Sequence, residues 1–234
     1  MPDGSIVVTG GSKGIGAAVT RELVARGYEV WCLSRSGDAP AGKAMVCDVT
    51  DEAAVKACLA DCAKAGPLRG LVNNAGVHIG GPSDRLATED YEAVMRLNAT
   101  AILVCAREVF PHLRDAGGTI INMGSFFDRM GVPHNLAYCA SKAAVGAITR
   151  CLAIEWAKHD IRVVNVAPGY VETELNHDYL NREGIRKWMG ERVPMGRPGQ
   201  VDEVGKLVGA LFDENIQYLT GETIYMDGGH GVNH

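Results

Sequence analysis

The stretch Ser5-Ile6-Val7-Val8-Thr9-Gly10-Gly11-Ser12-Lys13-Gly14-Ile15-Gly16 decides the fold. Ser5–Thr9 is a short apolar run, the pattern of a strand buried on both faces. Glycines follow at once, and the segment from there to about Arg26 has helical periodicity. Gly27 suits the left-handed position that ends such a helix. Strand, glycine turn and helix in that order open a βαβ unit.

The alternation continues along the chain. Further strands are expected at Glu29–Ser34, Lys43–Cys47, a run ending Leu71–Asn73, Thr119–Met123, Arg162–Val166 and Glu222–Met226. Helices are expected after a cap at Thr50 or Asp51, over Thr88–His112 with an interruption near Pro111, and over Leu136–His159. One or two more should cover Glu174–Gly190, and another Val201–Phe212. Pro168 and Gly169 read as a break. Strands alternating with helices give a parallel sheet covered on both faces. Right-handed crossovers then make a doubly wound (Rossmann) α/β fold, a seven-stranded sheet of order 3-2-1-4-5-6-7. A ligand belongs at the carboxyl ends of its strands.

The 234 residues suit one domain spanning the whole chain. Net charge is −5 and no basic cluster exceeds two residues, which argues against nucleic acid as the main partner. No apolar run approaches the roughly 18 residues of a membrane helix. Met1–Ser5 lacks a basic region followed by an apolar stretch, so no signal peptide is read there. Seven cysteines occur, an odd number with no CxxC pair, which points to reduced thiols and a cytoplasmic setting. The histidines form no metal-ligand cluster, and His230 and His234 read as loose C-terminal residues.

The glycine loop sits between a strand and a helix, the context of a dinucleotide site. Gly10, Ser12, Gly14, Ile15 and Gly16 let the backbone approach a pyrophosphate at the helix N-terminus. An NAD site usually carries an acid at the end of the second strand, near the ribose 2′-hydroxyl. Ser34 and Arg35 stand there instead, and Lys13 can reach the same region. Two cations and a hydroxyl suit a 2′-phosphate, so NADP(H) is favoured over NAD(H). Solvated surface cations would look the same in the sequence.

Tyr138 and Lys142 lie four apart and share a helical face. An ammonium beside a phenol favours the phenolate, so Tyr138 can donate a proton to a carbonyl or take one from an alcohol. Ser125, thirteen residues earlier and just past the fifth strand, can bond the same oxygen. Alone, each is commonplace: a surface helix carries Tyr-xxx-Lys, and a strand end carries serine.

Together these residues resemble the short-chain dehydrogenase/reductase family in its short form, over nearly the whole chain. The glycine loop, Asn73-Asn74-Ala75-Gly76, Asn98, Ser125, Tyr138, Lys142 and Pro168-Gly169 appear in the family's order, as do Leu219-Thr220-Gly221 and Asp227-Gly228-Gly229. The resemblance implies that Lys142 also binds the nicotinamide ribose. It implies that Asn98 holds a water linking Lys142 to solvent, though a polar residue bonded to backbone fits that position too. Asn74, Ala75 and Gly76 would line the cofactor, and Asp48-Val49 would contact the adenine, unless Asp48 merely caps the next helix. Pro168, Gly169, Val171 and Thr173 would flank the nicotinamide. A homotetramer or homodimer is implied, packed through the Thr88–His112 and Leu136–His159 helices.

The group most similar in look is the 3-oxoacyl-(acyl-carrier-protein) reductases. Phe126 and Phe127 depart from it, standing where small residues are commoner, and the Ser36–Gly42 segment is short. Arg129, Arg182, Arg186 and Lys187 are the cations available to an acidic carrier. The expected function is an NADP(H)-dependent oxidoreductase for a small carbonyl or alcohol substrate, with residues 174–190 as a lid. An NAD-dependent alcohol or dihydrodiol dehydrogenase running oxidatively is the alternative, and a non-catalytic sensor of NADP(H) a lesser one.

Overall fold

The computed structural model describes residues 4–174, 176–213 and 216–233. Met1–Asp3 and His234, on which the leader and tail readings partly rest, lie outside them. β1 (Ser5–Thr9) is wholly buried. α1 (Gly14–Ala25) follows, and Gly27 ends it at φ 90°, as expected. Then come β2 (Glu29–Ser34), β3 (Lys43–Val46), α2 (Glu52–Ala65) and β4 (Leu68–Asn73). Asp51, not Thr50, caps α2: its carboxylate accepts from Ala53 N and Ala54 N.

The helix expected over Thr88–His112 is not one α-helix. α3 (Thr88–Met95) passes into a π-helical turn at Arg96–Thr100 and only then into α4 (Ala101–Leu113). The interruption therefore falls at Asn98, while Pro111 sits inside the last turn of α4 without ending it. The reason is tertiary. Asn98 must meet Val77 on another segment, and one extra residue in the turn turns it there.

β5 (Gly118–Met123), α5 (Leu136–Trp156) and β6 (Ile161–Pro168) complete the middle of the chain. Pairing with the last strand carries β6 through Pro168, two residues past its expected end. β7 (Val171–Glu172) and β8 (Gly199–Gln200) form a small ribbon that the sequence does not announce, since two residues show no periodicity. α6 (His177–Leu180), α7 (Glu183–Arg192), α8 (Val201–Asp213) and β9 (Thr223–Met226) finish the chain.

The main sheet has the order β3-β2-β1-β4-β5-β6-β9, all parallel. It is the doubly wound order expected, with its last strand ninth in the chain because β7 and β8 lie apart. Alternation along the strands splits the core in two. Leu71, Ile120 and Val163 face α2, α4 and α5. Val72, Ile121 and Val164 face α1 and α8. Just below the carboxyl ends, Asn73, Asn122 and Asn165 are paired in register on neighbouring strands. Asn73 Nδ2 donates to Asn122 Oδ1 (2.9 Å), and Asn122 Nδ2 to Thr149 Oγ1 of α5 (2.9 Å). Buried polar groups are costly unless paired, so this chain fixes α5 against β5.

Candidate active site

The carboxyl ends of β1, β4, β5 and β6 bring the sequence-selected residues together. Gly10 and Gly14 take positive φ, 62° and 51°. A Cβ on Gly16 would lie 2.2 Å from Gly10 O and 2.4 Å from Asn74 Nδ2, so only glycine fits. Lys13 stands at the N-cap of α1 in extended conformation, with no side-chain cap and no acid in the first turn. The first N–H groups of α1 thus keep their need for an acceptor, which a pyrophosphate meets. Asn74 Nδ2 donates to Thr9 O (3.1 Å) and Gly10 O (3.0 Å). Thr9 Oγ1 accepts from Asn74 N (3.0 Å) and Ala75 N (3.1 Å). Gly76 runs close to Asn98. These residues fit the pyrophosphate of a dinucleotide.

Past the end of β2 and in the glycine loop, Arg35 and Lys13 are exposed and neither forms an ion pair among the described residues. Ser34 Oγ donates to Asp38 O (3.4 Å), so the loop folds this acid's backbone back toward the end of β2. Asp48 accepts from Thr50 N and Thr50 Oγ1, which holds its carboxyl below the usual range. Val49 is buried in the core. At the other end, Gly169 N donates to Met226 O (2.9 Å), Val171 is buried in β7, and Thr173 lies against Gly14. Asn176 accepts from Thr173 N (2.7 Å) and donates to Val171 O (2.9 Å), bracing this loop.

Tyr138 and Lys142 project from the start of α5 toward the end of β5. Lys142 is buried, with Nζ 5.5 Å from the Tyr138 ring centre, and donates to Met123 O at 2.7 Å. Burial brings its pKa down to about 8. Tyr138 departs from expectation: its phenol is pushed up, by burial first, with the Ser125 hydroxyl pulling the other way. The ammonium does not dominate because it is turned to a carbonyl and is itself discouraged from charging. Ser125 is buried, and its Oγ accepts from Phe127 N (3.3 Å), leaving its own proton to donate.

Asn98 is fully buried. Its amide donates to Val77 O (2.8 Å) and Ser141 Oγ (3.1 Å), and its Oδ1 accepts from Val77 N (2.8 Å). The side chain therefore ties the π-helical turn to the segment after β4 and to α5. Among the described residues no group of three or more His, Cys, Asp or Glu can hold a metal. A cleft of about 520 Å³ lined by Arg69, Arg162 and Phe212 lies apart from Ser125, Tyr138 and Lys142, none of which lines it.

A family model described as enoyl-(acyl carrier protein) reductase matches residues 10–231. A glucose 1-dehydrogenase of Gluconobacter oxydans is 37% identical over 96% of this chain and 90% of its own. A 3-oxoacyl-[acyl-carrier-protein] reductase of Mycobacterium tuberculosis is 36% identical over 98% and 94%. The crystal structure of a gluconate 5-dehydrogenase from Burkholderia cenocepacia in complex with NADP and tartrate superposes with TM-score 0.91, at 30% identity, over 99% and 97% of the two chains. The chain belongs to the short-chain dehydrogenase/reductase family. It is accordingly an oxidoreductase that uses a nicotinamide cofactor.

Around this short-chain dehydrogenase/reductase site the structure gathers His78, Tyr170, Trp188 and His230, which sequence reasoning missed as site groups, about Phe126 and Phe127, which it singled out. Two rings meet Tyr138 edge to face: His78 (5.1 Å between centres) and Phe127 (5.8 Å). Phe126 meets Phe127, Tyr170 and His230, and Trp188 of α7 meets Tyr170 and His230. His230 is therefore not loose. Its Nδ1 pairs with Arg192 O (3.0 Å). Arg129 lies over the Tyr225 ring (3.6 Å) and pairs with Asp227 (3.4 Å), and Tyr225 donates to Asp128 (3.0 Å). These contacts clamp the C-terminal turn onto the segment after Ser125. No local pattern signals them, although the paired Phe126-Phe127 was a hint.

Proposed function

We propose that this protein interconverts a ketone and a secondary alcohol with NADP(H), in a single domain carrying both cofactor and catalytic ends. The observation that carries the reading is the convergence of Tyr138, Ser125 and Lys142 at the end of β5, beside an uncapped glycine loop. The cofactor supplies the hydride. Ser125 donates its free proton to the carbonyl oxygen and stabilises the charge that develops there. Tyr138 gives that oxygen its proton, and a phenol held protonated by burial favours reduction. Lys142 has three donors and uses one on Met123 O. The others suit ribose hydroxyls and relay of the proton that Tyr138 loses. Asn98 keeps the π-helical turn in place, and backbone there is the route by which a water would reach Lys142.

Two exposed cations, Lys13 and Arg35, support NADP(H), as does NADP in the Burkholderia complex. Asn74, Ala75 and Gly76 line the cofactor, Asp48 and Val49 its adenine side, and Pro168, Gly169, Val171 and Thr173 its nicotinamide side. Free cysteines fit a cytoplasmic enzyme. Exposed Leu103 and Ile154, on α4 and α5, fit a homotetramer or homodimer packed through those helices. Tyr138→Phe should abolish consumption of NADPH with a ketone panel while leaving cofactor affinity within about threefold; unchanged turnover rejects the assigned acid. Lys13→Ala with Arg35→Ala should erase a preference for NADPH over NADH, measured by titration. No preference in the wild type rejects the NADP assignment.

A further inference from the structure

Five rings, from Phe126, Phe127, Tyr170, Trp188 and His230, form one continuous edge-to-face cluster that reaches Tyr138 through Phe127. They come from four places in the fold: the turn after β5, the loop between β6 and β7, α7, and the C-terminal turn. Phe126 and Phe127 are 2% and 9% exposed and act as the fixed floor, whereas Trp188 remains 37% exposed and Tyr170 and His230 are half-buried. His78 also meets the Tyr138 ring edge to face. The only polar atoms these side chains offer are a phenol, an indole N–H and imidazole nitrogens. No carboxylate or ammonium belongs to the set. Of the charged groups beside it, Asp227 and Arg129 are paired with each other and Asp128 accepts from Tyr225.

A polyol or sugar acid needs several donors and acceptors, or a cation, around the carbon that reacts; this cluster offers one phenol, one indole N–H and one imidazole, whose Nδ1 is already paired with Arg192 O. A flat apolar group gains from ring edges and faces at 4.5–7 Å, beyond the burial of its area. We infer that the substrate class is a ketone, or the matching secondary alcohol, whose carbonyl carbon bears a planar aromatic ring, and that Trp188 is a specificity-determining residue that covers that ring. The inference rests on the oxidoreductase reading of the site above and adds what the aromatic cluster selects.

The test compares acetophenone with its saturated counterpart, cyclohexyl methyl ketone, and with glucose run in the oxidative direction. The wild type should favour acetophenone over the cyclohexyl ketone by about tenfold or more in kcat/KM and turn over glucose poorly. Trp188→Ala should reduce that ratio by roughly tenfold, and Trp188→Phe should restore most of it. Calorimetry with acetophenone and cofactor gives a second readout that needs no turnover: binding should weaken in Trp188→Ala and recover in Trp188→Phe. Equal rates with aryl and cyclohexyl ketones, a preference for glucose, or a ratio unmoved by Trp188→Ala would overturn the aromatic assignment alone. Absence of turnover with every carbonyl and alcohol would instead sink the oxidoreductase reading of this site, and acetophenone binding would still decide whether the cluster takes flat rings.

Discussion

Burial moves Lys142 and Tyr138 in opposite directions, and both toward the neutral form. For Lys142 the folded pKa, about 8, lies below the ordinary 10.5. Between those values the unfolded chain holds more protons, so stability rises with pH across that window. Tyr138, raised above its ordinary value of 10.0, reverses the trend only at still higher pH. Wild type should therefore gain on Lys142→Met by roughly 1 kcal/mol per pH unit between pH 8 and 10, measured by urea midpoints. A constant difference contradicts the buried amine. Ser125→Ala should lower kcat about 10²–10³-fold with little change in cofactor affinity, since it removes one donor to a developing oxyanion. Single-turnover kinetics separates that from a folding defect. At this scale the sequence made Tyr138 and Lys142 legible as neighbours on one helical face, because i,i+4 spacing fixes them. The sign of the tyrosine shift was not legible, because desolvation depends on what packs over the pair.

Two elements set the site's geometry, and each depends on one small feature. The glycine loop requires Gly16. Gly16→Ala would press a methyl against Gly10 O and Asn74 Nδ2, so cofactor affinity should fall at least about tenfold with the far-ultraviolet spectrum unchanged. Titration of bound-cofactor fluorescence measures it, and wild-type affinity would show that the loop has room. The π-helical turn requires Asn98. Asn98→Ala leaves Val77 N and Val77 O without their partner, at a cost of about 1–3 kcal/mol to stability in chemical denaturation. A cost near zero would mean that the turn holds itself. The strand–glycine–helix opening was readable from residues 5–27 alone, since strand period, glycine need and helix end are all local. The turn at Asn98 was not, because its partner Val77 lies in another segment and helical periodicity hides one extra residue.

The whole molecule closes its site with its own C-terminal turn. Arg129 joins the stretch after Ser125 to Tyr225 and Asp227, and Arg192 O receives both His230 and Asn233. Arg129→Ala should raise amide exchange across residues 226–233 and raise the substrate KM several-fold, while cofactor affinity at the α1 loop stays put. Unaltered exchange there would assign the turn's order to its other contacts. The doubly wound order of the main sheet followed from the chain alone, because it rests on a fixed sequence of strand and helix, whereas Tyr138, Lys142 and Ser125 were singled out only by their joint resemblance to a family. The small β7–β8 ribbon, the aromatic cluster, the clamped tail and the raised phenol belong to the tertiary structure. They arise where segments far apart in sequence meet, and no local pattern encodes the distance or the dryness of such a meeting.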